Sequence, residues 1–107
     1  MTEDATMVRI NLQESDHGKR KNLMDEVLNA LRDRLSLEGV SVLRGIAGLG
    51  AGGVVHASDM MHFDVDLPLI VEFCCAPKLA EAEIALLVEL VPDGHVISFP
   101  VRRHLRG

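Results

Sequence analysis

The chain has 107 residues, a length that fits one domain spanning residues 1–107. Its net charge of −5 excludes the basic surface that nucleic-acid binding needs, so we expect no nucleic-acid partner. Although 48% of the residues are hydrophobic, only 3% are aromatic. The core must therefore be thin and aliphatic, which favours burial at a subunit interface.

The first half of the chain predicts a strand, a helix and a second strand. We expect residues 1–6 to form a flexible tail. A half-buried strand should follow at Met7–Gln13, where apolar and polar residues alternate. Over residues 19–37 the apolar residues recur every three or four positions, which predicts an amphipathic helix. Val40–Arg44 alternates again and predicts the second strand.

Residues 45–61 are a predicted glycine-rich loop region, in which five of the nine glycines lie within nine residues. The run lacks the lysine and hydroxyl residue that end a P-loop, and no helix follows it, so it is not a dinucleotide fingerprint. Glycine backbones can instead converge their N–H groups on an anion, with Arg44 as a clamp on phosphate. A mobile surface loop without a ligand is the alternative.

The second half of the chain predicts a strand at Leu67–Cys74, a largely apolar helix over residues 77–90 and a last strand at Val96–Val101. The order βαββαβ predicts an α+β, ferredoxin-like fold, in which a four-stranded antiparallel sheet carries two helices on one face. Because the third strand is apolar at nearly every position, we expect both of its faces to be buried. A partner subunit would then cover the face that the helices leave open.

No segment approaches the roughly 20 apolar residues of a membrane span. The acidic N-terminus also lacks the apolar region of a secretory signal, so we expect the protein in the cytoplasm. Cys74 and Cys75 are neighbours that point to opposite faces of a strand. We therefore expect two small buried side chains rather than a disulfide or a shared metal.

The polar residues indicate neither a metal site nor a catalytic centre. The five histidines lie at no spacing that joins two of them with a carboxylate in a recognisable ligand set, so we expect no metal. No nucleophile is accompanied by a base and an orienting group, so we do not expect an enzyme. His56 is expected to bond the loop or a ligand. Lys19, at the start of the first helix, would add a positive charge toward an anion.

The run Val42–Gly50, with His56 shortly after it, carries the pattern Leu-Arg-Gly-Ile-x-Gly-x-Gly. Together with Gly18-Lys19 and Asp66–Pro68, it resembles the PII-like family catalogued as domain of unknown function 190, over residues 7–101. The resemblance implies a ferredoxin-like homotrimer related to the nitrogen-regulatory PII signal-transduction proteins and to the CutA-type cation-tolerance proteins.

In PII proteins an adenine nucleotide lies in the cleft between subunits, and the loop after the second strand contacts a target. The resemblance therefore implies signal transduction, with ATP, ADP or AMP as the effector. Members of this family are often encoded beside fluoride-exporting channels, which implies a membrane channel or transporter as a target. Carried over by position, the residues at the base of the loop are Arg44, Gly45, Gly48 and Gly50.

The chain departs from PII proteins in one respect that matters for signalling. It has no tyrosine, so the tyrosine nucleotidylation that some PII proteins use cannot operate, and a signal has to come from ligand binding. Two alternatives to a nucleotide-responsive regulator stay open. A CutA-like divalent-metal-tolerance trimer would share the fold, and a small enzyme of unknown reaction is the third candidate.

Overall fold

The computed structural model describes residues 1–16, 18, 22–34, 39–49, 55–57 and 66–107. Its elements in chain order are β1 (Thr2–Gln13), α1 (Leu23–Arg32), β2 (Ser41–Arg44), β3 (Ala47–Leu49), β4 (Val55–Ala57), β5 (Pro68–Cys75), α2 (Pro77–Leu87) and β6 (Val96–His104). Strands β2, β5, β1 and β6 form, in this order, a four-stranded antiparallel sheet. The ferredoxin-like βαββαβ fold is confirmed, with a β3–β4 ribbon inserted after the second strand.

Alternation along the two central strands builds the core. Every second residue of β5 is buried, and the register pairs Val8 with Phe73 and Ile10 with Val71. Both helices pack on this same face of the sheet. The buried cluster consists of Val8, Ile10, Leu12, Leu23, Val27, Leu31, Leu69, Val71, Phe73, Cys75, Ala80, Leu87 and Val91. The remaining residues of β5 are only half-buried, so the expected burial of both its faces is not reached within one chain.

The expectation that residues 1–6 form a flexible tail is wrong. β1 begins at Thr2 and pairs with β6 from Thr2↔His104 to Ile10↔Val96, whereas β5 accompanies it only from Thr6 onward. Thr2–Ala5 and the end of β6 therefore form a two-stranded ribbon that continues past the sheet. Hydrophobic alternation did not reveal this segment, because Thr2, Glu3 and Asp4 are exposed.

Both helices have clear physical starting points. Asn22 caps α1, since its side-chain oxygen accepts a hydrogen bond from the backbone N–H of Asp25 at 2.9 Å. The ends of the predicted helix at residues 19–21 and 35–37 lie outside the described residues. α2 begins at Pro77, where a missing N–H leaves no bond unmade. No helix in the described ranges is both long enough and apolar enough to cross a membrane.

α2 ends at Leu87, whereas the sequence predicted an end at residue 90. The backbone N–H of Leu90 bonds the carbonyl of Leu87 at 2.9 Å, three residues back, so the last turn is tighter than an α-helix. Val88 and Leu90 consequently lie on the surface.

A buried carboxylate joins the end of α1 to α2. Glu83 lies on the buried stripe of α2 and is only 2% exposed. Nε of Arg34, just after α1, donates to both of its carboxylate oxygens, at 2.8 and 3.0 Å. A buried charge is tolerated only when it is paired and hydrogen-bonded, so Arg34 is what allows an acidic residue in this position.

We expect Arg34→Ala to destabilise the fold, because the Glu83 carboxylate would stay buried without its partner. The loss should be about 2–3 kcal/mol, below that of a fully buried pair because the Arg34 side chain is 38% exposed. Urea unfolding at one fixed protein concentration measures it. Arg32→Ala is the matched control, since Arg32 is exposed at the same helix end and shares any interaction with the helix dipole. Equal urea midpoints for Arg34→Ala and Arg32→Ala would contradict a stabilising role of the Arg34–Glu83 pair.

Cys75 should behave as an inert core thiol. Burial, together with the neighbouring Cys74 and Glu83, raises the pKa of Cys75 above its usual range, so the reactive thiolate is scarce. In the variant Cys74→Ser, which keeps only Cys75, labelling by a disulfide reagent at pH 8 should be slower than in denaturant by more than about tenfold. Equally fast labelling in native buffer would mean that the end of β5 opens readily.

Candidate functional site

The base of the glycine-rich loop lies at the edge of the sheet. Arg44 is the last residue of β2, pairs with Leu69 of β5 and leaves its side chain 60% exposed. The backbone N–H of Gly45 donates to the carbonyl of Pro68 at 2.7 Å. A Cβ atom at Gly45 would stand 2.5 Å from Cγ of Pro68, so only glycine lets the chain leave β2 so close to the start of β5.

The loop beyond Gly45 contains a short antiparallel ribbon. Its register pairs Ala47 with Ala57, Gly48 with His56, and Leu49 with Val55. Two predicted site residues, Gly48 and His56, are thus direct cross-strand partners in the backbone. The predicted site residues Gly50 and Lys19 lie outside the described residues.

Arg44 has a partner that sequence reasoning missed. Its Nε donates a hydrogen bond to the carboxylate of Glu14, in the turn that follows β1. This bond is the main cause that raises the pKa of the Arg44 guanidinium, so the group is a permanent cation. No local pattern could have revealed the pair, because the two residues are 30 positions apart in the chain.

The turn that carries Glu14 is held by several hydrogen bonds. The backbone N–H of Glu14 donates to the carbonyl of Leu67 at 3.0 Å. Asp66 accepts two bonds from Ser15, from its N–H at 2.9 Å and from its hydroxyl at 2.6 Å. The Asp16 carboxylate in turn accepts from the backbone N–H of Gln13 at 2.8 Å. The turn after β1 is therefore fastened to the segment that opens β5.

Two of the cavities that the described residues form have neither Arg44 nor Gly45 in their lining. One, of about 230 Å³, lies where β5 ends and is lined by Glu3, Asp4, Ala5, Cys74, Cys75, Ala76, Leu79 and Arg103. The other, of about 290 Å³, is lined by Met7, Gly39, Ser41, Glu72, Phe73 and Cys74. The predicted phosphate clamp lies at the edge of the sheet, because β2 is its outermost strand, and the Arg44 side chain is open to an approaching surface.

The sheet face opposite the helices combines apolar side chains with one charge pair. Nε of Arg9 lies 3.0 Å from a Glu72 carboxylate oxygen, and its guanidinium carbon lies 5.3 Å from the ring centre of Phe99. Leu43 and Ile97, at the two sides of this face, are exposed. We call this surface, formed by Arg9, Leu43, Glu72, Ile97 and Phe99, the open face.

The described residues hold no cluster of three His, Cys, Asp or Glu side chains that could bind a metal ion together. Nδ1 of His95 lies 2.7 Å from the carbonyl oxygen of Asn11, which ties the turn before β6 to β1. His17 and His62 lie outside the described residues.

Comparison with known proteins identifies both family and fold. The family model DUF190, described as an uncharacterized ACR, matches residues 5–103. Two solved structures of CPII, a nitrogen regulatory PII-like protein from Thiomonas intermedia K12, are similar in fold, and each comparison covers 96% of this chain and 91% of that chain. The complex with ADP, AMP and bicarbonate has 14% sequence identity and a TM-score of 0.60. The complex with ADP and bicarbonate has 15% identity and a TM-score of 0.56. This chain therefore belongs to the DUF190 family, and its fold is PII-like.

Proposed function

We propose that this protein is a PII-like regulator, not an enzyme, and that it works in the cytoplasm. It binds an adenine nucleotide (ATP, ADP or AMP) at a cleft between the subunits of a homotrimer. The loop after β2 contacts a target protein, for which a membrane channel or transporter is the candidate. The observation that carries this proposal is the position of Arg44, an exposed cation where the sheet edge meets the glycine-rich loop.

The electrostatics favour a phosphate ligand at that position. The chain as a whole is acidic, so a phosphate group has to be met by a local cation. Arg44 can give phosphate two parallel charge-assisted hydrogen bonds, and the backbone N–H groups of a glycine run can add more. Gly45, Gly48 and Gly50 are the proposed backbone contributors, and His56 and Lys19 are proposed as further contacts. The CPII complexes, which contain adenine nucleotides, support a nucleotide as the ligand class.

The subunit cleft is proposed because Arg44 is exposed at the end of an edge strand. β2 is an edge strand and is exposed along its whole length, so a neighbouring subunit can approach it. The open face supplies apolar area for the same assembly, since Leu43 and Ile97 lie on it around the Arg9–Glu72 pair. Aliphatic side chains that the thin core of one chain leaves exposed would be buried there.

We expect light scattering at micromolar concentration to give three times the chain mass of 11.7 kDa. Ile97→Glu should shift the protein toward monomer, because it would place a charge on the open face. Glu81→Lys is the control, since Glu81 is exposed on α2, on the other side of the sheet. A monomer mass for the wild-type protein would contradict both the proposed homotrimer and the proposed subunit cleft.

Arg44→Ala should weaken nucleotide binding without changing mass or melting temperature. The lost charge-assisted contact is worth about 1.5–3 kcal/mol, or roughly 10- to 150-fold in Kd. Calorimetric titration with ATP, ADP and AMP measures it, with Arg32→Ala as the control for loss of an exposed arginine. If wild type binds none of the three, the nucleotide proposal fails, and divalent cations are titrated next to test the metal-tolerance alternative. If wild type and Arg44→Ala bind equally, the ligand lies elsewhere, and Arg102 and Arg103 are the next residues to replace.

A further inference from the structure

By charge alone, the contact between Glu14 and Arg44 opposes an anion site, since it places a carboxylate beside the proposed phosphate clamp. Three observations point the other way. Arg44 remains 60% exposed although it is paired. Its bond to Glu14 uses Nε, whereas an arginine can grip phosphate with its two terminal nitrogens. The guanidinium thus has a phosphate-binding edge besides the nitrogen that Glu14 occupies.

The third observation is that Glu14 and the residue directly after Arg44 donate to consecutive carbonyls at the start of β5. Glu14 donates its backbone N–H to Leu67, and Gly45, directly after Arg44, donates to Pro68. Ser15 adds two bonds to Asp66. The Glu14 backbone is therefore held in place in the turn, and its carboxylate is attached close to the long and flexible Arg44 side chain.

We propose that Glu14 is a positioning residue of the nucleotide site, which holds the Arg44 guanidinium by Nε and leaves its terminal nitrogens for phosphate. This inference rests on the proposed function and names a residue that contributes to it without touching the ligand. Its physical basis is pre-organisation: a side chain already held in its binding geometry loses less conformational entropy when the ligand binds.

The sign of the effect separates positioning from simple electrostatics. Removing a carboxylate near an anion site should tighten anion binding if charge alone matters. If Glu14 positions Arg44, Glu14→Ala should instead weaken ADP binding, by about two- to tenfold, although the protein becomes less acidic. Glu14→Gln should restore most of the affinity, because its amide oxygen can still accept the bond from Nε.

The experiment is a calorimetric ADP titration of wild type, Glu14→Ala, Glu14→Gln, Arg44→Ala and the double variant Glu14→Ala/Arg44→Ala. Glu81→Ala is the matched control, because it removes the same charge from the exposed surface of α2. We expect Glu14→Ala not to weaken ADP binding any further when Arg44 is already absent, since its positioning role acts through that side chain. Adenosine, which lacks phosphate, should bind Glu14→Ala and wild type equally if it binds at all.

Tighter or unchanged ADP binding by Glu14→Ala would overturn the inference and leave the nucleotide site standing. If the wild-type protein binds no nucleotide, both the role of Glu14 and the nucleotide site itself are overturned. A measurement without ligand keeps the two failures apart: NMR should show the Arg44 Nε–H exchanging slowly in wild type and fast in Glu14→Ala. Fast exchange in wild type would mean that the ion pair does not form, whatever the titrations show.

Discussion

β1 is the strand on which the rest of the structure depends, because it is hydrogen-bonded on both sides. It pairs with β5 over Thr6–Gln13 and with β6 over Thr2–Ile10. Its residues Val8, Ile10 and Leu12 are buried against both helices, while the residues between them form part of the opposite face. A shift of one residue in either register would exchange these two sets, so the hydrophobic alternation of β1 specifies the pairing of its neighbours.

The same pairing creates the junction at which the candidate site lies. Because β1 and β5 run antiparallel, the end of β1 meets the beginning of β5, and β2 ends beside them. Three segments distant in sequence therefore exchange hydrogen bonds within a few residues of Leu67 and Pro68. The glycine-rich loop departs from this junction, so a ligand bound at Arg44 would act directly on the start of the loop. On the proposed function, this arrangement would give a physical route from the bound nucleotide to the loop conformation, in which the hydrogen-bonded turn with Glu14 is the fixed part.

Hydrophobic periodicity predicted the strands and helices that have one solvent-exposed face and one buried face. The alternation at Met7–Gln13 and the helical repeat around Val27 gave the correct element types, because burial on one side imposes a period on the sequence. Thr2–Ala5 was missed because only Ala5 of these four residues is buried, so no such period exists. Likewise, no sequence period places Glu83 beside Arg34, since an acidic residue in a largely apolar helix looks like part of its solvent-exposed side.

For the site, the sequence motif located Arg44 and Gly45 correctly at the end of the second strand but could not supply their surroundings. The bond of Gly45 to Pro68 and the contact of Arg44 with Glu14 depend on the register of three strands. The motif contains Gly45, but only the structure shows why a glycine is needed there. The neighbouring Pro68 ring leaves no room for a Cβ atom, and the φ angle of Gly45 is not positive. A conformational argument from glycine content alone would therefore give the wrong reason for the glycine at position 45.

The open face raises a separate question of why a charge pair sits among apolar side chains. If this face were entirely apolar, it would associate with other surfaces without a defined geometry, since aliphatic surfaces pack in many relative orientations. Arg9 and Glu72 satisfy one another within the chain, and Arg9 also lies over Phe99, so the pair loses none of its partners if a second copy covers it. A misaligned copy that separated the pair would leave a charge buried without a partner, which is far more costly than a lost apolar contact. On the proposed assembly, the apolar residues would supply most of the affinity, and the charge pair would restrict the geometry in which the subunits meet.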